Sequence, residues 1–77
     1  MFFAKDDIIE LKEKNYLVKR VALIENEAYY EVVETDKETD EELNDKMIIK
    51  AINEDATLYI EEINDEDLIK EINKELK

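Results

Sequence analysis

Five runs of β-branched and aromatic residues, separated by only a few polar positions, constrain this 77-residue chain more than any other feature. They are DIIEL (7–11), YLVKRVALI (16–24), AYYEVVE (28–34), KMIIKAI (46–52) and TLYIEEI (57–63). Connections as short as KEKN (12–15), ENE (25–27) and NEDA (53–56) suit hairpins and are too short for the crossovers of parallel strands, so the sheet is expected to be mainly antiparallel. Five short strands at this spacing predict a meander that curls into a small SH3-like barrel or a half-barrel.

The second run is long for one strand, and its alternation breaks. Tyr16, Val18, Arg20 and Ala22 alternate against Leu17, Lys19, Val21 and Leu23, so the apolar face shifts near Lys19 and Arg20. One extra residue there, a bulge, swaps the faces of everything after it. At the next turn Asn26 is the residue best suited to a left-handed backbone, because the chain has no glycine. The last segment changes period: Leu68, Ile69, Ile72 and Leu76 form one helical stripe, which predicts a helix over 65–76. Asn64 or Asp65 can cap it, Asp65, Glu66 and Asp67 suit the positive end of its dipole, and Lys74 and Lys77 suit the other end. The expected fold is α+β: a strongly curved five-stranded antiparallel sheet with a carboxy-terminal helix packed on it. Removal of 64–77 is expected to expose core.

A chain of this length supports one domain and one core, and with no cysteine it has neither a disulfide nor a thiolate metal site to reinforce it. The charge is strongly one-sided. Residues 1–30 carry six acids and five bases, whereas residues 31–77 carry seventeen acids and six bases, and the whole chain is at −12. Such a surface repels nucleic acid and anionic lipid, so neither is an expected direct partner, while a basic protein surface is attracted. No stretch reaches the length of a membrane span, and FFA before the first charges is too short for a signal-peptide core, so a cytoplasmic location is expected. The richness in Lys, Asn, Ile, Glu and Tyr suggests an A+T-rich gene, as in a low-G+C bacterium or its phage.

The chemistry available is narrow. There is no His, Cys or Ser, which removes the usual nucleophiles and proton carriers, and a domain of this size without Trp offers little room for a carboxylate-lined substrate cleft. No enzymatic activity and no cofactor is expected. The acidic stretch DKETDEELND (36–45) raises the question of calcium. An EF-hand loop beginning at Asp36 would place Glu41 at the obligatory glycine and Met47 at the closing acid, and a start at Asp40 fits no better, so no metal site is expected. The stretch is read instead as a solvated connection between the third and fourth strands, held through Leu43 alone and tolerant of shortening.

The remaining function is recognition. Glu31, Glu34, Glu61 and Glu62 on strands, with Asp65, Glu66, Asp67, Glu71 and Glu75 on the helix, can form ordered rows of carboxylates, although Lys70 and Lys74 interleave with the helical ones. Tyr29 and Tyr30 are adjacent in a strand and so face opposite ways, leaving one outside the main core. An exposed tyrosine beside an acidic rim makes a protein-binding patch. The expected partner-binding residues are therefore Tyr29, Tyr30, Glu61, Glu62, Glu66, Asp67 and Glu71. Phe2 and Phe3 are read either as core or as a sticky terminus, and monomer and homodimer both stay open. The expected function is a non-enzymatic acidic protein-interaction module; the alternative is a nucleic-acid mimic that inhibits a basic DNA- or RNA-binding protein.

The segments DDIIELKEKNYLVKRVALIENEAYYEVVETD and IIKAINEDATLYIEEINDEDLIKEI resemble small uncharacterised acidic proteins of Firmicutes and their mobile elements. In those, GDIIEL-like, YLVV-like and YYEVV-like strands and a DEDLIKEI-like helix recur. Asp6 stands where that pattern prefers glycine. The resemblance implies a small barrel-like fold with a terminal helix, and no activity.

Overall fold

The structure is a computed structural model that describes residues 3–39, 41–43 and 46–77. Five strands follow one another, β1 (Ile8–Leu11), β2 (Lys14–Ile24), β3 (Glu27–Thr35), β4 (Met47–Glu54) and β5 (Thr57–Glu62), and the helix α1 (Glu66–Glu75) ends the chain. Every pairing is antiparallel and between sequence neighbours, giving the order β1-β2-β3-β4-β5, a curled half-barrel with one helix. The expected α+β architecture is the one observed. Phe2 lies outside the described residues, as does Asp40.

Strand β3 is buried on both faces, and the rest of the fold is arranged around it. Ala28, Tyr30 and Val32 point to one face, where they meet Ile9, Val18, Ile49 and Ala51. Phe3, Leu11, Tyr16, Val21, Met47 and Ile60 close around this inner cluster, so residues from β1 through β5 converge on it. Tyr29 points to the other face, where α1 lays Ile72 and Leu76 against it together with Ala22 and Ile48. Burying a side chain such as Ile72, which has no exposed surface, contributes about 1.5–3 kcal/mol. Against the roughly 3–5 kcal/mol that a core of this size supplies, this contact makes α1 part of the core and not an appendage.

The bulge in β2 makes this two-sided packing possible. The β2–β3 register runs Val18↔Val32 and then Arg20↔Glu31, so Lys19 is the extra residue. Val18 and Val21 therefore both serve the inner cluster, although they are three positions apart, and Ala22 is delivered to the helix side. The break in alternation read from the sequence marks this bulge.

The hairpins are tighter than their polar connections suggest. Leu11 pairs with Lys14, Ile24 with Glu27 and Glu54 with Thr57, which leaves only Lys12-Glu13, Glu25-Asn26 and Asp55-Ala56 as turns. All six residues have positive φ, between 50° and 68°, the signature of two-residue turns that match the twist of the strands. KEKN thus shrinks from four connecting residues to two, and Asn26 takes the left-handed conformation with Glu25 beside it. A seventh positive φ, 75°, falls at Asp6.

The helix is capped as its residues imply. The Asp65 side chain accepts hydrogen bonds from the backbone N–H groups of Asp67 and Leu68, at 3.0 and 3.3 Å. At the other end the Lys77 N–H donates to the Val21 carbonyl at 3.0 Å, tying the terminus to β2.

A side chain other than glycine in a left-handed turn costs on the order of 1 kcal/mol, and Ala56 has no polar group with which to offset it. Ala56→Gly is expected to stabilise the fold by about 1 kcal/mol and to raise the melting temperature by about 4–8 °C in calorimetry. An unchanged or lower melting temperature would mean that the turn carries no such strain.

Candidate functional site

The carboxylates divide into those that the fold neutralises and those that it does not. Because the bulge sets Arg20 opposite Glu31, the guanidinium meets the carboxylate with both prongs, Nε to Oε1 at 3.0 Å and Nη2 to Oε2 at 2.6 Å. Lys46 approaches the same carboxylate at 3.7 Å. The Glu31 side chain is 6% exposed, so its charge is held inside the structure by these cations. The hydrogen bonds from Arg20 hold the Glu31 carboxyl below the usual carboxylate range, and burial opposes them.

A second group forms beside Tyr29. Its hydroxyl donates to Glu27 Oε2 at 3.0 Å, and Lys50 Nζ lies 2.9 Å from Glu27 Oε1 and 6.0 Å from the centre of the Tyr29 ring. The Lys50 contact first, then the tyrosine hydroxyl, lowers the Glu27 pKa, whereas burial and the neighbouring carboxylate raise that of Tyr29. Further ion pairs join Lys14 to Glu34, Lys19 to Glu42 and Lys37 to Glu10.

These contacts reshape the reading of the acidic stretch 36–45. Its described part folds back on β3 and does not stand off as a loose connection. The Asp36 side chain accepts from the N–H groups of Glu38 and Thr39, the Asp36 N–H donates to the Glu41 carbonyl, and Glu42 bridges to Thr35. Leu43 is half-exposed, so it anchors the segment through its N–H to the Glu34 carbonyl at 2.8 Å and not by burial. Among the described residues, no group of three or more acids is placed to hold a metal ion.

On β5 and the start of α1 the pattern reverses. Residues 51–69 contain seven acids, Glu54, Asp55, Glu61, Glu62, Asp65, Glu66 and Asp67, and no Lys or Arg. Among the described residues, no ion pair within 4.0 Å involves any carboxylate beyond residue 42. Glu61 faces Lys50 across the ladder and raises its pKa only as the weakest of several causes, because Glu27 already holds that lysine. Glu61 and Glu62 take opposite faces of β5 and lead within a few residues to Glu66 and Asp67 in the exposed first turn of α1. Glu71 lies further along α1 and is flanked by Lys70, which separates it from this cation-free stretch.

The tyrosines correct the expectation. Tyr29 and Tyr30 do face opposite ways, yet neither is available to a partner, at 5% and 0% exposure. Tyr30 is a post of the inner cluster, its hydroxyl accepting from the Phe3 N–H at 3.2 Å with the two rings edge to face at 5.3 Å. This contact also places Phe3 in the core rather than at a sticky terminus. Tyr29 is outside the inner cluster but lies under α1. The tyrosine that reaches solvent is Tyr59, 52% exposed on β5, and Leu58 beside it is 43% exposed. Glu31 and Glu34 leave the rows of available carboxylates, since both are paired with cations.

Glu31 has a lowered pKa, so its contribution to stability is present above the ordinary value of 4.5 and is lost as the pH falls through its folded value. Thermal melts are expected to show Glu31→Gln less stable than the parent at pH 7, and losing less on acidification below 4.5. Parallel profiles for the two proteins would contradict the pairing with Arg20.

No family model, no curated protein and no solved structure matches this chain.

Proposed function

We propose that the chain is a non-enzymatic module that binds a protein partner bearing a basic surface, and that the binding face is β5 with the first turn of α1. The observation that carries this reading is the division of charge. The cations within residues 14–50 pair with acids of β1, β3 and the segment after β3, while seven acids between 54 and 67 have no cation within their stretch. A row of like charges on a regular strand and helix raises self-repulsion in the folded state, and an external cationic surface relieves it. Glu61, Glu66 and Asp67 lie at the centre of this surface, Glu62 flanks it from the other face of β5, Tyr59 supplies the aromatic contact first expected of Tyr29 or Tyr30, and Glu71 lies beyond Lys70, outside the cation-free stretch.

Mimicry of nucleic acid draws on the same carboxylates and remains the second reading. It is weakened by the pairing of Glu31 with Arg20 and Glu34 with Lys14, which shortens the row to β5 and α1. No helix among the described residues is long and apolar enough to cross a membrane, and the face proposed here is one that anionic lipid would repel.

The test is affinity capture from host extract with the parent chain and with a variant carrying Glu61→Gln, Glu62→Gln, Glu66→Gln and Asp67→Asn. Partners of basic surface that are retained by the parent, lost by the variant and released by salt are expected. Partners that are neither basic nor sensitive to the substitutions would overturn the reading. Competition by DNA for a nucleic-acid-binding partner would favour mimicry.

A further inference from the structure

The half-barrel leaves two strands with one side unpaired, β1 and β5. β1 is four residues long, whereas β5 spans six and the ladder continues to the Ile63 N–H, which donates to the Ile48 carbonyl at 2.9 Å. The two-residue turn makes Glu54 and Thr57 a hydrogen-bonded pair, so the alternation of an antiparallel ladder turns the amides of Thr57, Tyr59 and Glu61 toward β4. Those of Leu58, Ile60 and Glu62 then face outward. Exposed edges are ordinarily blunted by lysine, proline or a bulge, and β5 has none of these; its register with β4 runs without a shift. It carries acids instead, Glu54 and Asp55 before it and Glu61 and Glu62 at its end.

That choice of charge decides what the edge accepts. A second copy pairing antiparallel with β5 would bring the acids at the end of one strand against those flanking the start of the other, a like-charge contact that opposes self-association. A strand carrying lysine or arginine meets the opposite situation. Its side chains on the helix side would lie beside Tyr59 and Glu61, where an aromatic face and a carboxylate both attract a cation. Those on the inner side would lie beside Leu58 and Ile60. At Ile60 a cleft of about 160 Å³ is lined by Leu11, Tyr16, Met47 and Ile49, with Lys12 and Glu62 as its charged groups. It is smaller than the roughly 300 Å³ at which small-molecule pockets begin, and suits an aliphatic side chain.

We propose that β5 is a strand-addition edge, which takes an extended basic segment of a partner protein, with apolar residues at alternate positions, as the sixth strand of the sheet. This rests on the acidic-module reading above and specifies how the partner is held: main-chain hydrogen bonds to Leu58, Ile60 and Glu62 supply affinity, and the acids supply selection.

The test uses two synthetic nine-residue probes of equal charge, one alternating lysine and valine, the other alternating lysine and proline, which cannot donate a strand ladder from alternate positions. Calorimetric titration is expected to show the lysine–valine peptide binding roughly tenfold tighter or more, the equivalent of one or two net hydrogen bonds. Amide exchange by NMR is expected to slow at Leu58, Ile60 and Glu62 when it binds. Leu58→Pro, which removes an outward N–H and leaves the β4 ladder intact, is expected to abolish the difference between the probes. Should that variant fail to fold, the exchange measurement on the unaltered chain decides. Equal affinities without protection of the three amides would overturn edge pairing and leave the acidic module standing, whereas binding of neither peptide would overturn both. Outward amides already protected in the peptide-free chain, in a dimer, would assign the edge to a second copy and overturn the proposal.

Discussion

The double-sided burial of β3 is the constraint on which everything else depends. A strand whose two faces are both apolar over Ala28–Val33, apart from Glu31, needs a cover on each side, and a sheet of five strands has only itself and one helix to supply them. The inner face is covered by curling, which brings β1 and β5 residues over Tyr30, and the outer face by Ile72 and Leu76 of α1. Lys19 reconciles the two demands, since without the extra residue Val21 would leave the inner cluster and Ala22 would leave the helix contact.

The same bulge organises the charge. It sets Arg20 rather than Lys19 opposite Glu31, so the one buried acid of β3 is met by the side chain able to contact both its oxygens, and Lys19 is freed to reach Glu42. With Lys46 and Lys50 also engaged, the cations of the first four strands are occupied by the fold. The acids of β5 and the start of α1 are left facing solvent without them, on elements whose backbone is fixed by a regular ladder and a capped helix. Repulsion among these acids costs stability, and only those at the start of α1 return part of it, Asp65 through its cap and Glu66 and Asp67 through the helix dipole.

How much of this was legible follows from what each signal depends on. Periodicity is local, so the strands, the bulge and the stripe of α1 could be read directly. The hairpins were less clear: turns built of Lys-Glu, Glu-Asn and Asp-Ala carry almost none of the glycine chemistry by which left-handed pairs are recognised, and only Asn26 announced itself. The fate of a given acid was not legible at all. Glu31 and Glu61 look alike along the chain, and the difference is made by register, which sets one against Arg20 and the other against a lysine already held by Glu27. Tyr29 was misplaced for a similar reason, because nothing in β3 states which part of its outer face α1 will cover. Tyr59 carried no mark of its exposure, because no local pattern distinguishes the outermost strand of a meander from an inner one.

β5 and the first turn of α1 carry charge that the fold does not neutralise, and the dependence of the melting temperature on sodium chloride tests this most directly. Between low salt and about 1 M, where the screening length falls to about 3 Å, the parent melting temperature is expected to rise, and the rise is expected to shrink when Glu61, Glu62, Glu66 and Asp67 are replaced by their amides. A melting temperature that falls with salt, or a rise of the same size in the amide variant, would show that the uncompensated charge does not lie there.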